Sequence, residues 1–298
     1  MSEPIWTPTD QQVASANMTR FLRFVEEREA TSLDGYHALW QWSVQHSERF
    51  WPALWQFCGV LSSQPWSEVL LDGEQMPGAQ WFADARLNFA ENLLRHNGEQ
   101  SAIIAWNEQG LQQRLSFTKL REEVARIAAW MRSIGIKKGD RVAALTPNLP
   151  ETVITMLATA SIGAIFSSCS PDFGTEAIIE RFGQIEPTVL LVAAEYQYGG
   201  KAFESLERAR QLTSQVPSIR HTIVVPYMQQ DPPLHGLAGP ILWDTIESCE
   251  TAIVFEQLPF DHPLYILYSS GTTGKPKCIV HGAGGTLLQH LKELVLHT

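Results

Sequence analysis

Between Ser101 and Val225 the chain alternates short apolar runs with segments whose apolar residues recur every three or four positions. The runs Arg141–Leu145, Ala164–Ser168, Thr188–Ala193 and His221–Val225 are nearly continuous in small and branched apolar side chains, the pattern of strands covered on both faces. Between them, Thr118 can cap a helix whose face is Leu120, Val124, Ile127, Met131 and Ile134, with Gly135 as its stop. Pro150 opens a second helix that Gly163 ends, and Thr175–Gln184 and Ala202–Gln215 predict two more. Ala102–Trp106 and Leu111–Phe117 flank Asn107–Gly110 and predict a hairpin. The repeated β-α-β order predicts an α/β fold with a mostly parallel sheet and helices on both faces.

The N-terminal pattern differs. From Asp34 to Phe57 the residues Tyr36, Leu39, Trp40, Val44, Phe50, Trp51, Leu54 and Trp55 fall at helical intervals, and seven of the ten tryptophans lie in the first 81 residues. The division expected is a Trp-rich helical cap over residues 1–100, then an α/β domain over 101–298. The indoles are expected to pack as structure and not to form a stacking surface for ligand.

Charge narrows the function. Lys and Arg number 22 against 32 Asp and Glu, so the net charge is 22 − 32 = −10, and both halves are acidic. That excludes a general nucleic-acid binder, which needs a cationic surface. Thr152–Pro171 is free of charge, but its threonines and serines make it too polar for a membrane span. Cys58, Cys169, Cys249 and Cys278 form no CxxC pair and the nine histidines no HExxH, so no metal site is predicted and a reducing, cytoplasmic setting is expected.

The chemistry concentrates in one loop. An apolar strand from Leu264 enters Ser269, Ser270, Gly271, Thr272, Thr273, Gly274, Lys275, Pro276 and Lys277, and the apolar run Cys278–Val280 leaves it. Gly271 and Gly274 let backbone N–H groups converge, the hydroxyls add donors, and Lys275 and Lys277 add charge, a combination suited to a polyphosphate. From His221 to Gly274 there is no Lys or Arg against six acids, so the two lysines arrive in an otherwise anionic stretch. A Walker A loop is excluded, because the glycines are three apart and Pro276 stands where the magnesium-binding hydroxyl should follow the lysine. On composition alone, a flexible hairpin with two solvated lysines stays open.

Tyr268–Lys277 resembles the signature of the acyl-adenylate-forming superfamily, with Cys278 where that family usually has glycine. Trp81-Phe82, Leu87-Asn88, Ala90–Leu94, Gly139–Val142 and Pro147–Glu151 are similar to its short-chain acyl-CoA synthetases. Trp6-Thr7-Pro8 with Arg20–Phe24, Gly163–Gly174 and His281–Lys292 resemble the acetoacetyl-CoA synthetases within that group. The resemblance implies an incomplete adenylate-forming large domain and an AMP-forming acid–thiol ligase. Acetoacetate and ATP would give an acyl-adenylate, and CoA would displace AMP. It implies ATP, Mg2+ and CoA as cofactor and co-substrates, with Ser269, Ser270, Gly271, Thr272, Thr273, Gly274, Lys275 and Lys277 on the ATP phosphates.

By the same resemblance Lys201 is a basic contact for a CoA phosphate and Tyr198 stacks near the CoA adenine, against the plain reading of a loop lysine at a helix start. The family's catalytic lysine and acyl pocket would lie beyond Thr298, so no catalytic residue is assigned and activity of these residues alone is not expected. A complementing C-terminal half, a non-catalytic nucleotide-binding remnant, and a ligase for acetate or propionate are the alternatives. His281 reads as a structural histidine, Gly282–Gly285 as a turn before the last helix, and Asp172 and Glu176 as ordinary loop and first-turn acids.

Overall fold

The structure, a computed structural model, describes residues 5–247, 252–269 and 274–298. Along the chain run α1 (Asp10–Ser15), α2 (Asn17–Glu29), α3 (Gly35–Gln45), α4 (Ser47–Phe57), β1 (Glu68–Leu71), β2 (Gln80–Ala83), β3 (Arg86–Leu87), α5 (Phe89–Leu93), β4 (Ser101–Asn107), β5 (Gly110–Ser116) and α6 (Phe117–Ser133). There follow β6 (Arg141–Leu145), α7 (Pro150–Ser161), β7 (Ile165–Cys169), α8 (Thr175–Ile185), β8 (Val189–Ala193), β9 (Glu195–Tyr198), β10 (Lys201–Glu204), α9 (Leu206–Gln215) and β11 (His221–Val225). The last elements are β12 (Pro240–Leu242), β13 (Leu258–Pro259), β14 (Pro263–Ser269), β15 (Lys277–Gly282) and α10 (Ala283–Leu291). Two compact units result: residues 1–86, 259–261 and 283–298, and residues 87–258 and 262–282.

In the first unit the continuous helical pattern of residues 34–57 resolves into two helices, α3 and α4, parted at His46. Phe21 and Val25 of α2, Leu39 and Trp42 of α3, and Phe50, Ala53 and Leu54 of α4 share a core with Leu296. A second aromatic cluster joins Trp55 to Trp66 and Phe82 at 5.0 Å each, and Phe82 to Phe260 at 4.8 Å. Trp42 and Trp55 are buried, whereas Trp6 and Trp40 stand in solvent. Ala283–Gly285, expected as a turn, already forms the first turn of α10. A Cβ on Gly284 would lie 2.2 Å from the Phe260 ring, so the helix closes on that ring only without a side chain there.

The second unit holds a seven-stranded sheet in the order β12-β11-β8-β6-β7-β14-β15. Every neighbouring pair is parallel except β14 with β15, which form an antiparallel hairpin at one edge. All five residues of β8 are buried, as a strand covered on both faces requires. On one face Leu190 and Val192, with Ala143 and Leu145, meet Ile178 and Phe182 of α8 and Ala209 and Leu212 of α9. The buried stripes of α6 and α7 pack on each other, with the Thr159 hydroxyl 3.9 Å from the Met131 sulfur. The hairpin expected before α6 is present as β4–β5.

Two boundaries differ from expectation. The cap of α6 is Ser116, whose hydroxyl accepts from Lys119 N, and Thr118 lies inside the helix. Ala202–Glu204, expected to be helical, pairs as β10 with β9, and α9 starts at Leu206. The cause is Gly199-Gly200: both residues have positive φ, 59° and 73°, which sets the two-residue turn that folds the chain back into a hairpin. Asn88 is fully buried and ties distant segments together. Its amide donates to the carbonyls of Ala160, Ser161 and Glu256, and its oxygen accepts from Glu91 N to cap α5.

Candidate functional site

In chain order, β6, β7, β8, β11 and β12 occupy sheet positions β7-β6-β8-β11-β12, so the chain leaves β6 in opposite directions on its two sides. Helix-covered parallel sheets bind ligands at such a reversal, beyond the carboxyl ends of the strands. A cleft of about 350 Å³ opens there. Thr146, Asn148 and Thr152 line it after β6, Cys169, Ser170 and Asp172 at the end of β7, and Tyr196 and Tyr198 after β8.

Its polar wall is cross-braced. Ser170 Oγ donates to Asp172 Oδ2 at 3.0 Å and accepts from Asp172 N at 3.2 Å, and Thr146 and Thr152 share a hydroxyl hydrogen bond of 2.7 Å. Burial first, and then the Asp172 carboxylate accepting its proton, push the Tyr196 phenol up, while Arg208 pulls the other way. Arg208 also donates to the Pro171 carbonyl. Asp172, read from sequence as an ordinary loop acid, is thus part of the cleft; Glu176 remains in the first turn of α8. Burial pushes the Cys169 thiol up to about 12, so this cysteine is a poor nucleophile despite lining the cleft.

The glycine-hydroxyl-lysine loop leaves the same edge of the sheet. Because β14 runs parallel to β7, its carboxyl end at Ser269 lies on the side where β7 ends at Cys169. Ser270, Gly271, Thr272 and Thr273 lie outside the described residues. Of the rest of the motif, Ser269 is half-buried and pairs with Lys277 across the hairpin, Gly274 has φ 96°, and Lys275 and Lys277 are exposed. Neither lysine has an ion pair among the described residues.

Helix α8 holds both ends of this loop. Tyr268 Oη donates to the Arg181 carbonyl at 3.3 Å, and Gln184 Nε2 donates to the Pro276 carbonyl at 3.1 Å. The Arg181 guanidinium covers the Phe173 ring at 4.5 Å, and Phe173 comes from the loop after β7. One arginine therefore ties the cleft-lining loop to the base of the lysine loop, and sequence reading passed over it. Cys278, where glycine is usual in the resembling family, is half-buried and packs into the sheet core beyond the loop.

Tyr198 lines the cleft, while Lys201, its register partner across the Gly199-Gly200 turn, is exposed on β10 outside the cleft lining. His281 pairs with Tyr265 at the far end of the hairpin, with ring centroids 5.1 Å apart, consistent with packing. Among the described residues, no group of three or more His, Cys, Asp or Glu could hold a metal ion, and no helix is long and apolar enough to cross a membrane.

A profile of the AMP-binding enzyme family matches residues 89–295, and one described as acetyl-coenzyme A synthetase N-terminus matches residues 36–93. The acetoacetyl-coenzyme A synthetase of Rhizobium meliloti (strain 1021) is 46% identical over 99% of this chain and 45% of the relative. A malonamoyl-CoA synthetase of Penicillium aethiopicum is 38% identical over 95% of this chain and 41% of the relative. The solved acetoacetyl-CoA synthetase from Streptomyces lividans superposes with a TM-score of 0.92 at 40% identity, covering 98% of this chain and 45% of that one. The chain thus spans about half the length of the curated relatives it matches.

Proposed function

The chain belongs to the AMP-binding enzyme family, and on that premise we propose that it is the N-terminal portion of an AMP-forming ligase joining acetoacetate to CoA. What supports the reading is that Ser269, where the lysine loop begins, ends β14 on the same side of the sheet as Cys169, which lines the cleft at the strand reversal. The β- and γ-phosphates of ATP rest on the donors from Ser269 to Gly274, with Lys275 and Lys277 neutralising their charge. Acetoacetate attacks the α-phosphate, and the thiol of CoA then displaces AMP from the acyl-adenylate. Charge builds on the departing pyrophosphate, and the two lysines offset it.

Mg2+ would supply further neutralisation. This ion is commonly bound through one or two carboxylates together with the substrate phosphates. The adenine of CoA lies against Tyr198 in the cleft, with Lys201 beyond it for a phosphate. The reaction belongs to the cytoplasm.

A second form of this reading makes these residues half of a split ligase or a nucleotide-binding remnant without turnover. The malonamoyl-CoA synthetase relative is 38% identical, as is an acetoacetyl-CoA synthetase of Danio rerio, so similarity over this region does not select the acid, and acetate or propionate is the alternative substrate. Acid-dependent ATP–pyrophosphate exchange tests all three. The purified chain is expected to bind ATP but to exchange only when the remaining half of the Rhizobium meliloti relative is added as a separate polypeptide, and then with acetoacetate. Because the acyl pocket comes with the added half, the acid is tested on the full-length ligase: exchange there with acetate and not acetoacetate would overturn the substrate, and failure of the chain to bind ATP would overturn the site.

A further inference from the structure

The Arg181 guanidinium stands within cation–π range of two rings from different parts of the chain. Its central carbon is 4.5 Å from the centroid of Phe173, in the segment joining β7 to α8, and 5.8 Å from that of Tyr268, near the end of β14. Its Nη1 donates to the Ala177 carbonyl one turn back on α8. Arg181 has no ion pair among the described residues, so its own helix and two aromatic faces hold the cation where a carboxylate usually would.

Each ring belongs to a segment that faces ligand in the reading above. Phe173 N donates to the Ser170 carbonyl at 3.3 Å, so the ring is fixed to the same short turn as Ser170 and Asp172, which line the cleft. Tyr268 enters the lysine loop, and Gln184, three residues after Arg181 and on the same face of α8, holds the loop's exit at Pro276. Phe173 is 41% exposed, so truncating it removes the guanidinium's partner without opening the core.

We propose that Arg181 is a positioning residue that couples the loop after β7 to the lysine loop, through the stack Phe173–Arg181–Tyr268. The inference deepens the reading of the lysine loop as the phosphate site and rests on it only for the ligand. A guanidinium shared by two rings loses part of its anchorage when either ring moves, so ordering one loop lowers the cost of ordering the other. Phosphate seated on the lysine loop therefore steadies the cleft wall at Ser170–Gly174, and the coupling is reciprocal.

The test is peptide-resolved amide hydrogen exchange on the purified chain and its F173A, R181M and R181K variants, with and without ATP. Without ligand, F173A is expected to speed exchange at Tyr268–Ser269 and Lys277–Ile279 roughly two- to fivefold, the measure of one exposed cation–π contact. R181M should do the same there and at Ser170–Gly174, while R181K, which keeps the charge, should stay nearer the parent. Exchange in β8 and α9 should not change, which separates coupling from general loosening. An effect of F173A confined to its own loop, or spread evenly over the chain, would overturn the coupling. With ATP, the parent should gain protection at Ser170–Gly174 and R181M should not; equal protection in both would also overturn it. If the parent binds no ATP while F173A still speeds exchange at both ends of the lysine loop, the coupling stands and the phosphate reading falls.

Discussion

Tyr268 sits over Arg181 in two senses: its hydroxyl donates to the Arg181 main-chain oxygen at 3.3 Å, and its ring lies 5.8 Å from the Arg181 guanidinium. The same hydroxyl accepts from Ser167 Oγ, which also donates to the Ile266 carbonyl. Strands β7 and β14 and helix α8 are therefore joined at the residue just before the lysine loop begins. Burial pushes the Tyr268 phenol well above its ordinary range, so it stays a neutral donor at any working pH.

Tyr268→Phe removes that donor and keeps the ring. The expected cost is about 0.5–1.5 kcal/mol, read as a lower urea midpoint at constant slope. ATP affinity should fall with it, because the entry strand of the loop loses its tie to α8. A variant as stable as the parent, with the same ATP affinity, would show that the bond contributes nothing to the site.

Lys275 is exposed and has no ion pair among the described residues. Lys275→Ala is accordingly expected to leave the unfolding midpoint unchanged. It should weaken ATP by roughly 1.5–3 kcal/mol, or about 10- to 150-fold, as the loss of a charged phosphate contact. An unaltered ATP affinity would identify the lysine as solvated surface.

What could be read beforehand follows from how local each signal is. Val189–Ala193 is apolar throughout because both faces of β8 are covered, and that demand is written in the strand's own residues. β10 is exposed at all four positions, so burial left no pattern to mark it; only the Gly199-Gly200 pair signalled the hairpin. At α6, Ser116 and Thr118 both have a capping hydroxyl, and the choice depends on where the chain leaves β5. Asp172 and Arg181 gain their roles from Tyr196, Phe173 and Tyr268 on other elements, and Glu108 meets its donors, Gly199 N and Gly200 N, 91 and 92 residues away. The lysine loop stands out in the sequence because its chemistry is contiguous, and its role on the phosphates is the proposal that ATP titration tests.

Asn88 presents a sharper stability test. Its amide group serves three carbonyls and its oxygen one N–H, all within a fully buried position. Asn88→Ala leaves those groups without a partner and should cost on the order of 3 kcal/mol in urea or thermal unfolding. Asn88→Asp should be at least as harmful, because a carboxylate cannot donate to the three carbonyls. A loss below about 0.5 kcal/mol in either variant would mean that water replaces the side chain without penalty.

Cys169 gives the pH dependence. Burial moves its thiol up to about 12, with Arg181 opposing only in part. At pH 8 the thiolate fraction is then roughly a thousandfold smaller than for a thiol near 9, and alkylation should slow in proportion. Peptide-resolved labelling with iodoacetamide should find Cys169 protected in the native chain and reactive in urea. The sign for stability follows from the direction of the shift. A folded-state value raised above the unfolded one contributes stability that is fully present below about pH 9 and is lost as the pH rises toward 12. Cys169→Ala, which cannot ionise, should therefore unfold at higher alkaline pH relative to its own stability at pH 7 than the parent does. Equal labelling rates in the native and unfolded chains, or identical alkaline profiles, would show that the thiol is not held neutral by its surroundings.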